Sequence, residues 1–97
     1  MGNYGKGYFE YYWQRIRINY KQPFSKAVKE ILRELCYDDL NKDSAYYIFV
    51  DATGINEKEA FENMLYEMEN DFYIKIEDDK TKFYSKILKE WWRRYYA

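Results

Sequence analysis

Basic and aromatic side chains lie close together near the C-terminal end of this 97-residue chain, a combination found in proteins that bind nucleic acid. Trp91 and Trp92 come directly before the last of these cations. The candidate contacts to a nucleic-acid backbone are Lys80, Lys82, Lys86, Lys89 and Arg93. The simpler interpretation, which we favour, is that these cations form the solvated face of an amphipathic helix and of the turn before it.

The stretch from residue 56 to residue 71 has the opposite charge. It carries six acidic residues and one lysine, a local charge of -5. A helix that reads DNA needs cationic or amide side chains, and an acidic helix would repel the phosphates. The pattern therefore predicts a surface for a basic protein partner. The candidate contacts on it are Glu57, Glu59 and Glu62.

Paired aspartates and a calcium-like spacing could support catalysis or bind metal, but their sequence context does not fit either role. The pairs Asp38/Asp39 and Asp78/Asp79 lie in predicted solvated turns, and the chain has no histidine to work with them. The spacing Asp39-x-Asn41-x-Asp43 resembles the start of a calcium loop. However, Ser44 stands where that loop needs glycine and Val50 where it needs glutamate. We therefore expect no enzyme activity, no metal and no cofactor in this chain.

Composition indicates one small globular domain. Hydrophobic residues make up 47% of the chain, charged residues 34%, and the net charge is -1. No apolar run approaches the roughly 20 residues that cross a bilayer, and the N-terminus lacks the pattern of a signal peptide. We expect a cytoplasmic protein without a membrane partner. The single cysteine, Cys36, lies on the apolar side of a predicted helix and is expected to be buried.

Aromatic residues exceed what a small core needs, at 23% of the chain. Tyrosine and tryptophan are common where one edge of a ring is buried and the other is wet, as at interfaces. Trp91 and Trp92 are adjacent and cannot both point along one narrow helical stripe, so we expect one in the core and one at a surface. The aromatic candidates for an interaction surface are Tyr12, Trp13 and Trp92.

Hydrophobic periodicity predicts the elements that position these residues. Helices are expected up to about Asn19, over 24–37, 44–53 and 56–70, and from 85 to 96. Either Asp43 or Ser44 is expected to cap the helix over 44–53, and Gly54 to end it. Asn56 and Glu59 suggest a capping box for the next helix.

A β-hairpin is expected over 72–85, with Phe72, Ile74 and Ile76 on its buried face and the charged residues 77–80 in its turn. Two helices joined by a turn with glycine, followed by a hairpin, make a winged helix-turn-helix. The predicted fold class is therefore mostly α with a small β-hairpin. Residues 1–23 form an N-terminal lead and aromatic helix, and residues 24–97 form the winged-helix domain.

Residues 52–65 read ATGINEKEAFENML, and residues 69–96 read ENDFYIKIEDDKTKFYSKILKEWWRRYY. This part of the chain resembles the C-terminal winged-helix domain of archaeal-type AAA+/STAND ATPases. The features shared with that family are the DFYI of residues 71–74, the charged wing at 77–80, the F-x-S of residues 83–85, and the W-W-x-x-Y-Y of residues 91–96. The first 23 residues are not part of the resemblance.

The resemblance implies a non-enzymatic interaction or interdomain module from the C-terminal part of such an ATPase. ATP would bind only in an upstream domain, because these residues contain no G-x-x-x-x-G-K-[ST] loop. The expected partner is a protein or the parent ATPase domain, with a homo-oligomer as a further option. The alternative is a winged-helix transcription regulator that binds DNA through its wing and C-terminal helix. The acidic charge of residues 56–71 disfavours DNA as a partner.

Overall fold

The computed structural model describes residues 14–16 and 20–95, with the backbone alone at position 95. Residues 14–16 are helical, and the rest of the predicted first helix, with Tyr12 and Trp13, lies outside the described residues. The elements that follow are α1 (Phe24–Leu35), β1 (Leu40–Asn41), α2 (Lys42–Thr53), α3 (Lys58–Asn70), β2 (Ile74–Glu77), β3 (Lys80–Phe83) and α4 (Lys86–Tyr95). A mostly helical fold with a small antiparallel sheet, in this order, confirms the predicted winged-helix class.

The residues predicted to cap the N-termini of α2 and α3 were wrong. At α2 the N-cap is Asn41, whose Oδ1 accepts a hydrogen bond from the Ser44 backbone N–H at 2.8 Å. At α3 the N-cap position is Glu57, which makes no side-chain capping bond. The Asn56 side-chain oxygen instead accepts a hydrogen bond from the Tyr46 hydroxyl of α2 at 2.5 Å. It is therefore not used to cap α3.

The turn between α2 and α3 depends on Gly54, as predicted. Gly54 is in the left-handed region with φ 75°, and its N–H donates to the Val50 carbonyl at 2.7 Å. Thr53 strengthens the turn because its hydroxyl donates to the Phe49 carbonyl and accepts from the Ile55 N–H. The chain can therefore leave α2 and enter α3 within four residues, 54–57.

The sheet has the order β1-β3-β2 and is antiparallel throughout. The predicted charged turn is confirmed: Asp78 and Asp79, with φ 48° and 68°, connect β2 to β3. Two successive positive φ values are typical of a two-residue hairpin turn that matches the twist of the strands. The strand β1 was missed in the sequence because it has only two residues; it is held by pairing of Leu40 with Thr81.

The end of α3 corrects the predicted burial of the first hairpin residues. Tyr73 is fully buried, whereas Phe72 is 58% exposed and has φ 65°. The Tyr73 N–H donates to the Met68 carbonyl and the Phe72 N–H to the Glu69 carbonyl. These two bonds form a Schellman motif, with Phe72 at the left-handed position usually taken by glycine. The turn sends the Phe72 side chain into solvent, and the strand alternation begins only at Ile74.

The core lies between the helices α1 to α4 and the sheet. Five residues of α1 are fully buried: Ala27, Val28, Ile31, Leu32 and Leu35. Phe49 of α2 connects the helices, because its ring centroid lies 5.9 Å from that of Phe24 and 5.5 Å from that of Phe61. Tyr46 adds an edge-on contact to Phe61 at 5.2 Å. The stretch 46–49 has strand-like composition but is helical, and its Phe49 ring is fully buried while the Tyr47 ring is 75% exposed.

Both tryptophans of α4 are buried, which corrects the prediction that Trp92 lies at an interaction surface. Trp92 is 1% exposed and Trp91 is 7% exposed. The helix contacts α1 and β3, so two of its sides are covered, and Phe83 of β3 lies 6.2 Å from the Trp92 ring. Ile87 of the same helix is 71% exposed. Ser85 caps α4, since its hydroxyl accepts from the Leu88 N–H at 3.2 Å.

Within residues 14–16 and 20–95, no helix is long and apolar enough to cross a membrane.

Replacing Gly54 by alanine tests the left-handed turn. A Cβ at this position would meet no atom within 4 Å, so any penalty comes from the backbone conformation alone. We expect Gly54→Ala to lower the free energy of unfolding by about 1 kcal/mol in urea titrations. Gly54→Asn should lose clearly less, because asparagine tolerates the left-handed region. Equal losses in the two variants would contradict this explanation.

Two neighbouring residues test the orientation of α4. Leu88 is 2% exposed and Ile87 is 71% exposed. Leu88→Ala should lower the free energy of unfolding by roughly 2–5 kcal/mol, through lost burial and a cavity. Ile87→Ala should change it by no more than about 0.5 kcal/mol. A larger loss for Ile87→Ala than for Leu88→Ala would mean that the helix faces the other way.

Candidate interaction surfaces

Four glutamates of the α3 region point into solvent, and we call them the acidic face: Glu57, Glu59, Glu62 and Glu67. The opposite side of α3 is buried through Phe61, Met64, Leu65 and Met68. Burial of these apolar residues at helical spacing leaves the carboxylates on the outside. The three acidic candidates from the sequence, Glu57, Glu59 and Glu62, are all exposed, and Tyr66 lies among them at 50% exposure.

Two other acids of this stretch have a structural role that the charge count did not reveal. The Glu69 carboxylate accepts a hydrogen bond from the Ile76 N–H at 3.1 Å. Asp71 accepts from the Tyr20 hydroxyl at 3.1 Å and lies 3.7 Å from the Arg15 guanidinium. Burial, together with the Asp71 charge, raises the pKa of the Tyr20 phenol well above its ordinary value. These acids brace the start of the hairpin and the N-terminal segment.

The cation of the α3 region, Lys58, is directed away from the stripe of glutamates. Its ammonium lies 5.9 Å from the centroid of the Tyr46 ring, within the range of a cation–π contact. Tyr46 belongs to α2, so Lys58 spans the two helices. Lys58 forms no ion pair with Glu59 or Glu62.

The second surface is a groove of about 450 Å³ between the hairpin and α4. We call it the basic groove and define it by its five cations: Lys75, Lys82, Lys86, Lys89 and Arg93. Four of the five cations predicted from the sequence meet here, whereas Lys80 is not among the lining residues. Lys75 was missed, although it lies on β2 only seven residues before Lys82. Strand pairing places it opposite Lys82, a register that the predicted hairpin with its turn at 77–80 already implies.

Three carboxylates also line the basic groove: Asp39, Glu77 and Glu90. Glu77 forms an ion pair with Lys82, whose ammonium is 3.0 Å away. This hydrogen bond and charge lower the pKa of the Glu77 carboxyl and raise that of the Lys82 ammonium. Lys86 and Lys89 make no ion pair with any residue that the structure describes. They are the cations in the groove that are available to a ligand.

Aromatic side chains extend this basic surface. Tyr84 lines the groove, and the Lys75 ammonium lies 5.7 Å from its ring centroid. Phe72 makes an edge-on contact with Tyr84 at 5.3 Å, and both rings are exposed. Arg93 lies 5.7 Å from the ring of Tyr37, another exposed aromatic residue. The groove thus offers apolar contact area as well as charge.

The remaining candidates do not form a reactive centre. Burial raises the pKa of the Cys36 thiol to about 11, although the nearby charges of Lys89 and Arg93 act against this shift. The thiolate that would be needed for reaction is therefore scarce near neutral pH, and Cys36 serves as a small core residue, as expected. Asn41, in the calcium-like spacing, is used as a helix cap. Among residues 14–16 and 20–95, no three acidic or thiol side chains are grouped to hold a metal.

No family model, curated protein or solved structure matches this chain. The resemblance to an ATPase winged-helix domain stays a prediction, and function has to be inferred from the two surfaces themselves.

The ion pair in the basic groove gives a testable pKa difference. In an NMR titration, the Glu77 carboxyl should have a pKa below that of an ordinary glutamate, and Lys82→Gln should return it towards the ordinary value. The stabilisation from this pair is present above the unfolded-state pKa and is lost as the pH falls through the lowered one. Lys80→Gln is the matched control, because Lys80 pairs with Glu77 across the strands but forms no ion pair with it. An equal shift in both variants would contradict the assignment.

Proposed function

We propose that this chain is a non-enzymatic winged-helix interaction module that presents the acidic face of α3 to a basic protein surface. The observation that carries this proposal is the exposure of Glu57, Glu59 and Glu62 on the helix that would read DNA in a DNA-binding winged helix. Like-charged phosphates would be repelled there, whereas lysine or arginine side chains of a protein would be attracted.

An interdomain role in an ATPase of the archaeal type is the specific form of this proposal. The parent ATPase domain would then be the basic partner, and ATP would bind in that domain only. A cytoplasmic setting belongs to the same proposal, and the free thiol of Cys36 is consistent with it.

A second candidate function is contact with a nucleic-acid backbone through the wing and α4, as in a winged-helix transcription regulator. What favours it is the convergence of Lys82, Lys86, Lys89 and Arg93 in one groove. Against it stand the three carboxylates that line the same groove and the net charge of -1. We therefore rank it below protein binding.

Titration with a synthetic lysine-rich amphipathic helical peptide tests the principal proposal. At low ionic strength we expect amide NMR shifts to concentrate on α3 and its N-cap. Replacing Glu59 and Glu62 together by glutamine should weaken binding roughly tenfold, because each exposed ion pair contributes up to about 1 kcal/mol. Added salt should weaken binding further.

The matched control is the Lys86→Gln, Lys89→Gln double variant, which leaves α3 unchanged and should bind the peptide like the unmodified chain. The same variant tests the second function with duplex DNA. Micromolar or tighter DNA binding at about 0.15 M salt that is lost in this variant would favour the second function. Peptide binding that does not depend on Glu59 and Glu62 would contradict the first.

A further inference from the structure

The acidic face and the basic groove are complementary surfaces on one small protein. They share no residue, since one is built on α3 and the other on β2, β3 and α4. Lysine and arginine number 16 and aspartate and glutamate 17, so the chain has almost no net charge to keep its copies apart. Long-range repulsion therefore does not prevent two copies from approaching.

The two surfaces also match in spacing. Glu59, Glu62 and Tyr66 lie at positions i, i+3 and i+7 of α3. Lys86, Lys89 and Arg93 lie at the same intervals on α4. Side chains at these intervals share one face of a helix. With the two helices side by side and parallel, each glutamate faces a lysine, and the exposed Tyr66 ring faces a guanidinium.

The charges at the centre of each surface are available. In the described part of the chain, Glu59, Glu62, Lys86 and Lys89 form no ion pair and accept or donate no side-chain hydrogen bond. The Lys58 ammonium lies over the Tyr46 ring and forms no ion pair with either glutamate. The groove is concave and holds the exposed Tyr84 ring, whereas a helix face is convex.

We propose that the partner of the acidic face is the basic groove of a second copy of this chain. This inference rests on the proposed function, whose basic protein surface it identifies. The contact is heterologous, because α3 of one copy meets the groove of the next. Contact of α3 with α3 is less favourable because it would place glutamates against glutamates, and contact of groove with groove would bring two predominantly basic surfaces together.

Sedimentation of the full chain at low ionic strength tests the inference. We expect the unmodified chain to associate with increasing concentration, and added salt to reverse this association. The E59Q/E62Q variant and the K86Q/K89Q variant should each associate roughly tenfold more weakly. The matched controls are Lys26→Gln and Asp51→Asn, exposed charge changes outside both surfaces, which should associate like the unmodified chain.

Mixing the two double variants gives the most specific result. One retains an intact groove and the other an intact acidic face, so an equimolar mixture should form one-to-one pairs. These pairs should not grow further, because the remaining surfaces are disabled. Circular dichroism should show all variants folded, since every altered side chain lies at the surface or is half-buried.

Three outcomes of the sedimentation and mixing experiments would overturn the inference: an unmodified chain that stays monomeric at millimolar concentration in low salt, association that either double variant leaves unchanged, or a mixture that does not pair. If the chain is monomeric but the lysine-rich peptide still binds α3, only this inference fails, because the acidic face then binds another partner. Loss of both results means that the proposed function fails too. Duplex DNA bound in the groove of a monomeric chain also overturns the inference.

Discussion

Burial of the tryptophan pair sets the direction of every other side chain on α4. Trp92 packs against Phe83 of β3, and Trp91 lies edge-on to it with ring centroids 5.9 Å apart. With these rings packed towards α1 and β3, Lys86, Lys89 and Arg93 lie along the side of α4 that lines the groove. The basic groove is thus a consequence of core packing, because the apolar area of two indoles outweighs any preference of the surface charges.

The same reasoning explains the acidic face. The apolar side of α3 is buried, and its solvated side contains no arginine and only the one lysine that contacts Tyr46. Acidic residues therefore predominate on α3, and beside α4 five cations outnumber three carboxylates, although the whole chain is close to neutral. Grouping like charges in this way causes some repulsion between the neighbouring side chains of each surface. It gives each surface a preference for an oppositely charged partner.

The backbone at Phe72 is in a strained conformation, with φ 65°. A non-glycine residue in the left-handed region costs of order 1–2 kcal/mol. The Schellman bonds hold it there and place Tyr73 in the core, while Asp71 and Glu69 brace the same corner. The exposed Phe72 ring then lies against Tyr84 at the end of the basic groove. The backbone turn at the end of α3 thereby places an aromatic side chain beside the basic groove.

Local periodicity in the sequence determined the helices from residue 24 onward, the glycine turn, the charged hairpin turn and the acidic side of α3, because each of these depends on residues a few positions apart. Tertiary structure decided the features that need distant partners. Asn56 bonds to Tyr46 and so caps no helix, and two residues form β1 only because Thr81 and Lys80 pair with them. Trp92 is buried because α1 and β3 cover α4, and the groove exists because the hairpin meets α4. Sequence spacing cannot encode these contacts, since the energy that selects them is gained only when remote segments meet.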